Sequence, residues 1–197
     1  MIVIEPASML ASLGSAPGST SGRAARLGKR ELSSFLALAA EELGVKGHIS
    51  VLLTDDVTIR ALNRRFRKQD KATDVLSFPA SEPVEAGRKA AALAGDLAIS
   101  LETAARQAEA FGHVLQTEVK VLLLHGALHL AGLDHETDSG QMARREGDLR
   151  KRFGLPLGLI QRSVDMAKKA PAKKLANPAK KKPARHPVNA RKRSTQP

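Results

Sequence analysis

Leu32, Phe35, Leu36, Ala39 and Leu43 recur three or four residues apart, the spacing of one helix face, and Gly44 stands where such a helix would stop. The period then shortens to two. Ile49, Val51 and Leu53 alternate with their neighbours as a half-buried strand would, and Asp55 or Asp56 can cap a helix in which Ile59, Leu62 and Phe66 face the core. Residues 73–78 and 95–101 supply two more strands, and residues 2–4 a short one. Residues 6–23 read as a Ser/Gly/Pro-punctuated loop and residues 79–94 as a mobile one. Helices are predicted over 102–111, 115–131 and 141–153. Strands first and helices mostly later is the order of an α+β domain: a small mixed sheet of about four strands, with the helix over 115–131 packed on it.

That central helix carries the densest chemistry of the chain. In VLLLHGALHLAGLDH, residues 121–135, three of the six histidines fall together. His125 and His129 are four apart, so a helix sets both imidazoles on one face, one turn above the other. Gly132 can take the left-handed conformation that ends a helix, and His135 can then swing back towards the pair. The result is a cup of three nitrogens with one open side, the arrangement of a catalytic zinc site; a structural zinc is normally closed by a fourth ligand, most often cysteine, and the chain has none. Core histidines without a metal would leave three clustered imidazoles buried without partners, at a cost. Asp134 either orients a histidine or helps the turn after Gly132. Met142 reads as a core residue of the last helix.

The spacing H-x3-H-x2-G-x2-H is similar to that of the metzincin peptidases, but Gly126 stands where those enzymes carry their general-base Glu. That argues against peptide hydrolysis. Glu118 is seven residues before His125 and on the same helix face, but the helical rise places it ~10 Å away. It is therefore a weak candidate for a water-activating base.

Charge divides the chain in two. Residues 168–197 hold 11 Lys or Arg, five Pro and no acid, whereas residues 1–167 hold 21 basic and 20 acidic side chains. We therefore expect one nearly neutral domain over 1–167 and a disordered Lys/Ala/Pro-rich basic tail over 168–197, too poor in apolar residues to offset its ordering entropy. The tail suits phosphate backbones or serves only as a solubilising extension. Zero cysteine removes disulfides, iron–sulfur clusters and thiol catalysis. With no signal-peptide pattern and no apolar run near ~20 residues, a soluble cytoplasmic protein without membrane contact is expected. The chain has no Trp, no Tyr and five Phe, so any RNA contact is expected to rest on charge and shape.

A second cationic stretch lies within the domain. Arg60, Arg64, Arg65, Arg67, Lys68 and Lys71 face a single acid, Asp70, near the turn from helix to strand. Alone it would be a solvated face. Beside a zinc ion able to polarise a phosphoryl oxygen, a planar guanidinium is the side chain best shaped to hold a second phosphate oxygen.

The blocks ALNRRFRKQDKATDVLSFPA, GDLAIS and HGALHLAGLDHETD, in that order, resemble the signature blocks of the YbeY family of bacterial endoribonucleases, and the match spans most of residues 49–153. The resemblance implies a single-strand-specific, metal-dependent RNase acting on ribosomal RNA, in maturation of the 16S 3′ end and late ribosome quality control. It also implies one zinc per chain on His125, His129 and His135, and a functionally important arginine at Arg67. Leu133 stands where the family usually has Tyr, and the basic tail lies outside the family pattern. Asp74, Ser77 and Asp96 fall in the matched blocks, where they line a cleft or fix turns. Two other readings stay open: a non-catalytic zinc-containing ribosome-assembly factor and, less favoured, a metallopeptidase.

The charge split predicts that removing residues 168–197 weakens RNA binding and flattens its salt dependence, with the fold and any cleavage intact. Every phosphate that the tail no longer neutralises should take about 0.7 from the log–log salt slope for single strands. Binding titrations across ionic strengths check this, and an unchanged slope would remove the tail from the RNA interface.

Overall fold

The computed structural model describes residues 2–4, 27–80 and 93–156. The 6–23 loop, the middle of the 79–94 loop and the basic tail lie outside these residues. A mixed sheet in the order β1-β2-β4-β3 forms the framework. Three strands are substantial: β2 (His48–Thr54), β3 (Val75–Pro79) and β4 (Leu93–Ser100). The fourth, β1 (Ile2–Ile4), is three residues long and pairs parallel to β2 at one edge. β2 and β4 are parallel, and β3 runs antiparallel to β4 at the other edge.

Alternation along the strands sorts side chains onto two faces. From β2 and β4, Ile49, Val51, Leu53, Leu97 and Ile99 join the main core, while Ala98 joins a smaller cluster with Ile59 and Leu76 on the other side. The main core is completed by α1 (Lys29–Glu42), α3 (Leu101–Phe111), α4 (Leu115–Leu130) and α5 (Gln141–Arg152). Among the described helices only α2 (Asp56–Arg67) covers the small cluster. Helix α1 buries Leu32, Phe35, Leu36 and Ala39, the stripe its spacing predicts, and Gly44 follows it at a φ of 67°. Met142 is fully buried in the main core.

The expected elements differ from the observed ones mainly at their ends, and the causes are local hydrogen bonds. Leu101 opens α3 instead of closing β4, because the Ser100 hydroxyl accepts from the Thr103 N–H and caps the helix there. Asp55, not Asp56, caps α2, accepting from Thr58 N at 2.7 Å. Asp56 instead accepts from Ser100, Thr103 and Arg106 at the start of α3, and its own N–H donates to Glu102. Glu102 thus satisfies a backbone donor at the start of α2, and Asp56 in return ties down side chains at the start of α3. These bonds hold the Asp56 carboxyl below its usual range against the opposing effect of burial. The third strand begins at Val75, since the Asp74 side chain takes the Val75 N–H and holds residues 73–74 in a turn. Residues 93–94, expected in the loop, extend β4.

Phe66 does not face the core as its spacing suggests. It is 54% exposed, because α2 projects past the narrow second cluster, and its ring meets that of Phe78.

Gly95 marks the tightest point of the framework. Its φ of 152° and the position of a hypothetical Cβ, 2.5 Å from the Phe78 carbonyl oxygen and 2.7 Å from Leu130 Cδ2, leave no room for a side chain between β3 and the end of α4. Gly95→Ala is expected to cost about 2–4 kcal/mol through backbone strain and overpacking. Chemical denaturation measures it; a variant as stable as the parent would show that β3 can move away from β4 freely.

Candidate metal centre

Helix α4 is buried around its circumference from Val121 to Leu128, which is possible because its sequence is apolar on all sides. Gly126 sets its distance from the sheet: a Cβ there would stand 2.7 Å from Leu97 Cδ2 and 3.3 Å from Ser77 Oγ. The residue after the first histidine therefore faces the sheet, and the close approach excludes the larger side chain of a peptidase-type general base.

On the outward side of the same helix His125 and His129 lie with ring centroids 4.9 Å apart. Helix α4 ends as its sequence implies. Gly132 has a φ of 84°, its N–H donates to the His129 carbonyl, and Leu133 N donates back to the Leu128 carbonyl. The chain turns back and His135 arrives 5.4 Å from each of the other two rings, centroid to centroid. One nitrogen from each of the three can be chosen so that all lie within 4.8 Å of one another, and the set could hold a metal ion.

Asp134 serves the turn. Its carboxylate accepts from Glu136 N and Thr137 Oγ1, and its carbonyl accepts from Thr137 N and Asp138 N. The Glu136 N–H first, then Thr137 and the nearby histidines, hold its carboxyl below the usual range. The carboxylate that orients a histidine is instead Glu146 of α5. Its Oε1 lies 3.0 Å from His125 Nδ1, with both side chains buried. A carboxylate there accepts the Nδ1 proton, so the Nε2 lone pair of His125 is left for a metal. Sequence reasoning passed over Glu146. The signal was an acid four residues after Met142 and three before Leu149, in the apolar stripe of α5.

His129 is suited to the same task. Burial first, then the neighbouring histidines and Arg67, push its pKa below the ordinary value, despite the opposing pull of Asp134. It stays neutral near pH 7 and keeps a lone pair to donate. The donor set therefore fits a divalent ion that prefers imidazole nitrogen, zinc among them.

Arg67 lies on the last turn of α2, across a cleft of about 1150 Å³ from the histidines. Its Nη2 is 3.4 Å from the Ser77 carbonyl oxygen on β3. The chain returns from α2 to β3 through Lys68, a non-glycine residue at a φ of 60°. Buried Asn63 secures that return: its carbonyl accepts from the Gln69 N–H, and its Nδ2 donates to the Lys71 carbonyl at 2.8 Å. Lys71 and Asp74 also line the cleft. Asp74 is committed to Val75 N, Thr73 Oγ1 and Gln107 Nε2, so it fixes the turn. Ser77 is buried against Gly126, and Asp96 is exposed on β4 away from the cleft lining. Glu118, at the other end of α4, is fully buried and bonds His113. Its place is structural.

Fold and site together define a small α+β protein with a three-histidine centre capable of holding a metal, set in a cleft with a cationic wall. The chain belongs to the YbeY family: the family model described as endoribonuclease YbeY matches residues 23–154. It is 47% identical over 150 residues to the endoribonuclease YbeY of Koribacter versatilis, covering 76% of this chain and 93% of that one. It is 45% identical over 138 residues to the endoribonuclease YbeY of Solibacter usitatus, covering 70% of this chain and 88% of that one. A solution structure from Thermotoga maritima matches at 26% identity and a TM-score of 0.46, covering 88% of this chain and 99% of that one.

The buried His125–Glu146 pair predicts that Glu146→Gln lowers metal affinity about 10- to 100-fold. His129→Ala should lower it further. Zinc titration against a competing chelator measures both, and full affinity in Glu146→Gln would show that the carboxylate only fills space.

Proposed function

We propose that this protein is a zinc-dependent endoribonuclease that cleaves single-stranded RNA, with one zinc per chain on His125, His129 and His135. The observation that carries the reading is that the open three-histidine cup and the Arg67 guanidinium line one cleft. The curated relatives that bear the name endoribonuclease add weight to it. Following the family resemblance, its substrate is ribosomal RNA at the maturing 3′ end of 16S, in the cytoplasm and at the ribosome, with a further part in late ribosome quality control. The domain over 1–167 holds the chemistry, and the basic tail adds affinity for phosphates. Among the described residues no helix is long and apolar enough to cross a membrane.

The division of labour follows from the geometry. Zinc, when bound, supplies a Lewis acid for a phosphoryl group in the cleft. Glu146 fixes the ring of His125, Asp134 fixes the turn that brings in His135, and burial keeps His129 neutral. Arg67 is the catalytic residue of this reading: its planar donor pair holds a phosphate oxygen and offsets negative charge as it develops. Asn63 keeps the end of α2, and with it Arg67, at the cleft.

Arg67→Lys should lower RNA cleavage about 100- to 1,000-fold, because lysine keeps the charge but loses the two-pronged donor. Zinc content should be unchanged. Exposed Arg64 on the same turn serves as the control, and Arg64→Lys should cleave nearly as the parent does. The measurement is turnover of a single-stranded RNA by zinc-loaded, nuclease-free protein, with chelator-treated and duplex-RNA arms. Equal losses in the two variants would reduce the arginines to diffuse charge, and no zinc-dependent cleavage by the parent would leave a non-catalytic assembly role.

A further inference from the structure

Phe66 is the most exposed of the five phenylalanines. A single exposed phenylalanine is ordinary on a protein surface. This one is distinguished by what surrounds it. The Phe78 ring meets it edge to face, with centroids 5.1 Å apart at 66°, and the Arg65 guanidinium sits 5.1 Å over its centroid. Phe78 comes from β3, so the ring of Phe66 is braced against the sheet. Arg67, the next residue, reaches into the cleft, and Arg64 and Lys68 are exposed on the same helix end. A half-exposed aromatic ring with cations over and beside it, next to a cleft, is matched by a ligand that joins a flat apolar surface to a run of negative charge.

We propose that Phe66, braced by Phe78 and with Arg65 over one side of its ring, uses its remaining exposed surface as a stacking platform for an unpaired base of an RNA strand whose phosphates run past Arg67 into the cleft. The inference rests on the RNA reading above and extends it with a positioning residue. Every base has a π-face, so the platform selects for unpaired structure and tolerates any sequence. A base inside a duplex has its faces covered by its neighbours and cannot use it. The five phenylalanines and absent Trp and Tyr suggested that RNA contact would rest on charge and shape alone; the exposure of Phe66 adds stacking.

The test uses the full zinc-loaded chain and short unstructured single-stranded RNAs carrying the fluorescent base 2-aminopurine at successive positions. With no Trp or Tyr in the protein, the probe is read without interfering emission. Binding of the parent should quench the probe at one position in particular. In Phe66→Leu, which keeps an apolar side chain against Phe78, the quench should vanish and affinity should fall roughly 5- to 100-fold, as expected when one base stack is removed. The salt slope of binding and the zinc content should not change, and Phe66→Tyr should retain both quench and affinity. An affinity of Phe66→Leu within about twofold of the parent, or a quench that persists, overturns the platform and leaves the RNA reading standing. Equal competition by an acidic polypeptide also overturns it, since charge alone would then explain binding. If the parent binds no RNA, both readings fall together.

Discussion

Helix α4 is enclosed by the sheet on one side and by α1, α3 and α5 around it, and Gly126 lets its backbone sit against Leu97 and Ser77 without a side chain between. A helix held this closely has little freedom to rotate or slide, because close-packed interiors resist small displacements. His125 and His129 inherit that rigidity. Their spacing along the helix sets which face they share, but the packing decides that this face opens onto the cleft. A metal-binding centre built on such a helix needs only one mobile contribution, the return of His135, and the Gly132 stop with the Asp134 turn fixes it through backbone hydrogen bonds.

The polar side of the arrangement depends on the same enclosure. Burying Glu146 among apolar side chains would be costly alone, and the His125 ring provides the hydrogen bond that offsets it. The bond in turn selects which nitrogen of His125 faces the cup. Burial also holds His129 neutral, in the form a metal needs, and among the described residues the group that could hold the ion is made of the three imidazoles.

The other wall of the cleft has a different origin. Strand β3 is at the edge of the sheet, and α2 together with the 68–74 turn folds around that edge, so the cationic end of the helix reaches the histidine side. A buried amide, Asn63, and a left-handed Lys68 make the sharp return possible. The same overhang leaves Phe66 beyond the small second core. One topological feature thus places the arginine at the cleft and the aromatic ring beside it.

What was legible in the sequence was whatever depends on neighbours along the chain. The helix over α4, the i,i+4 histidine pair, the Gly132 stop and the return of His135 are set by backbone geometry within eleven residues, and the alternating strands and the α1 stripe follow from period alone. The density of basic residues around Arg67 was visible in the same way. The identity of the carboxylate on His125 was not, because Glu146 is 21 residues away and reaches the ring only when α5 packs on α4; adjacency offers Asp134 either for that role or for the turn. Phe66 was misjudged for a related reason. Periodicity tells which face of a helix a residue occupies, but whether anything covers that face depends on the width of the sheet beneath it, which tertiary packing alone decides.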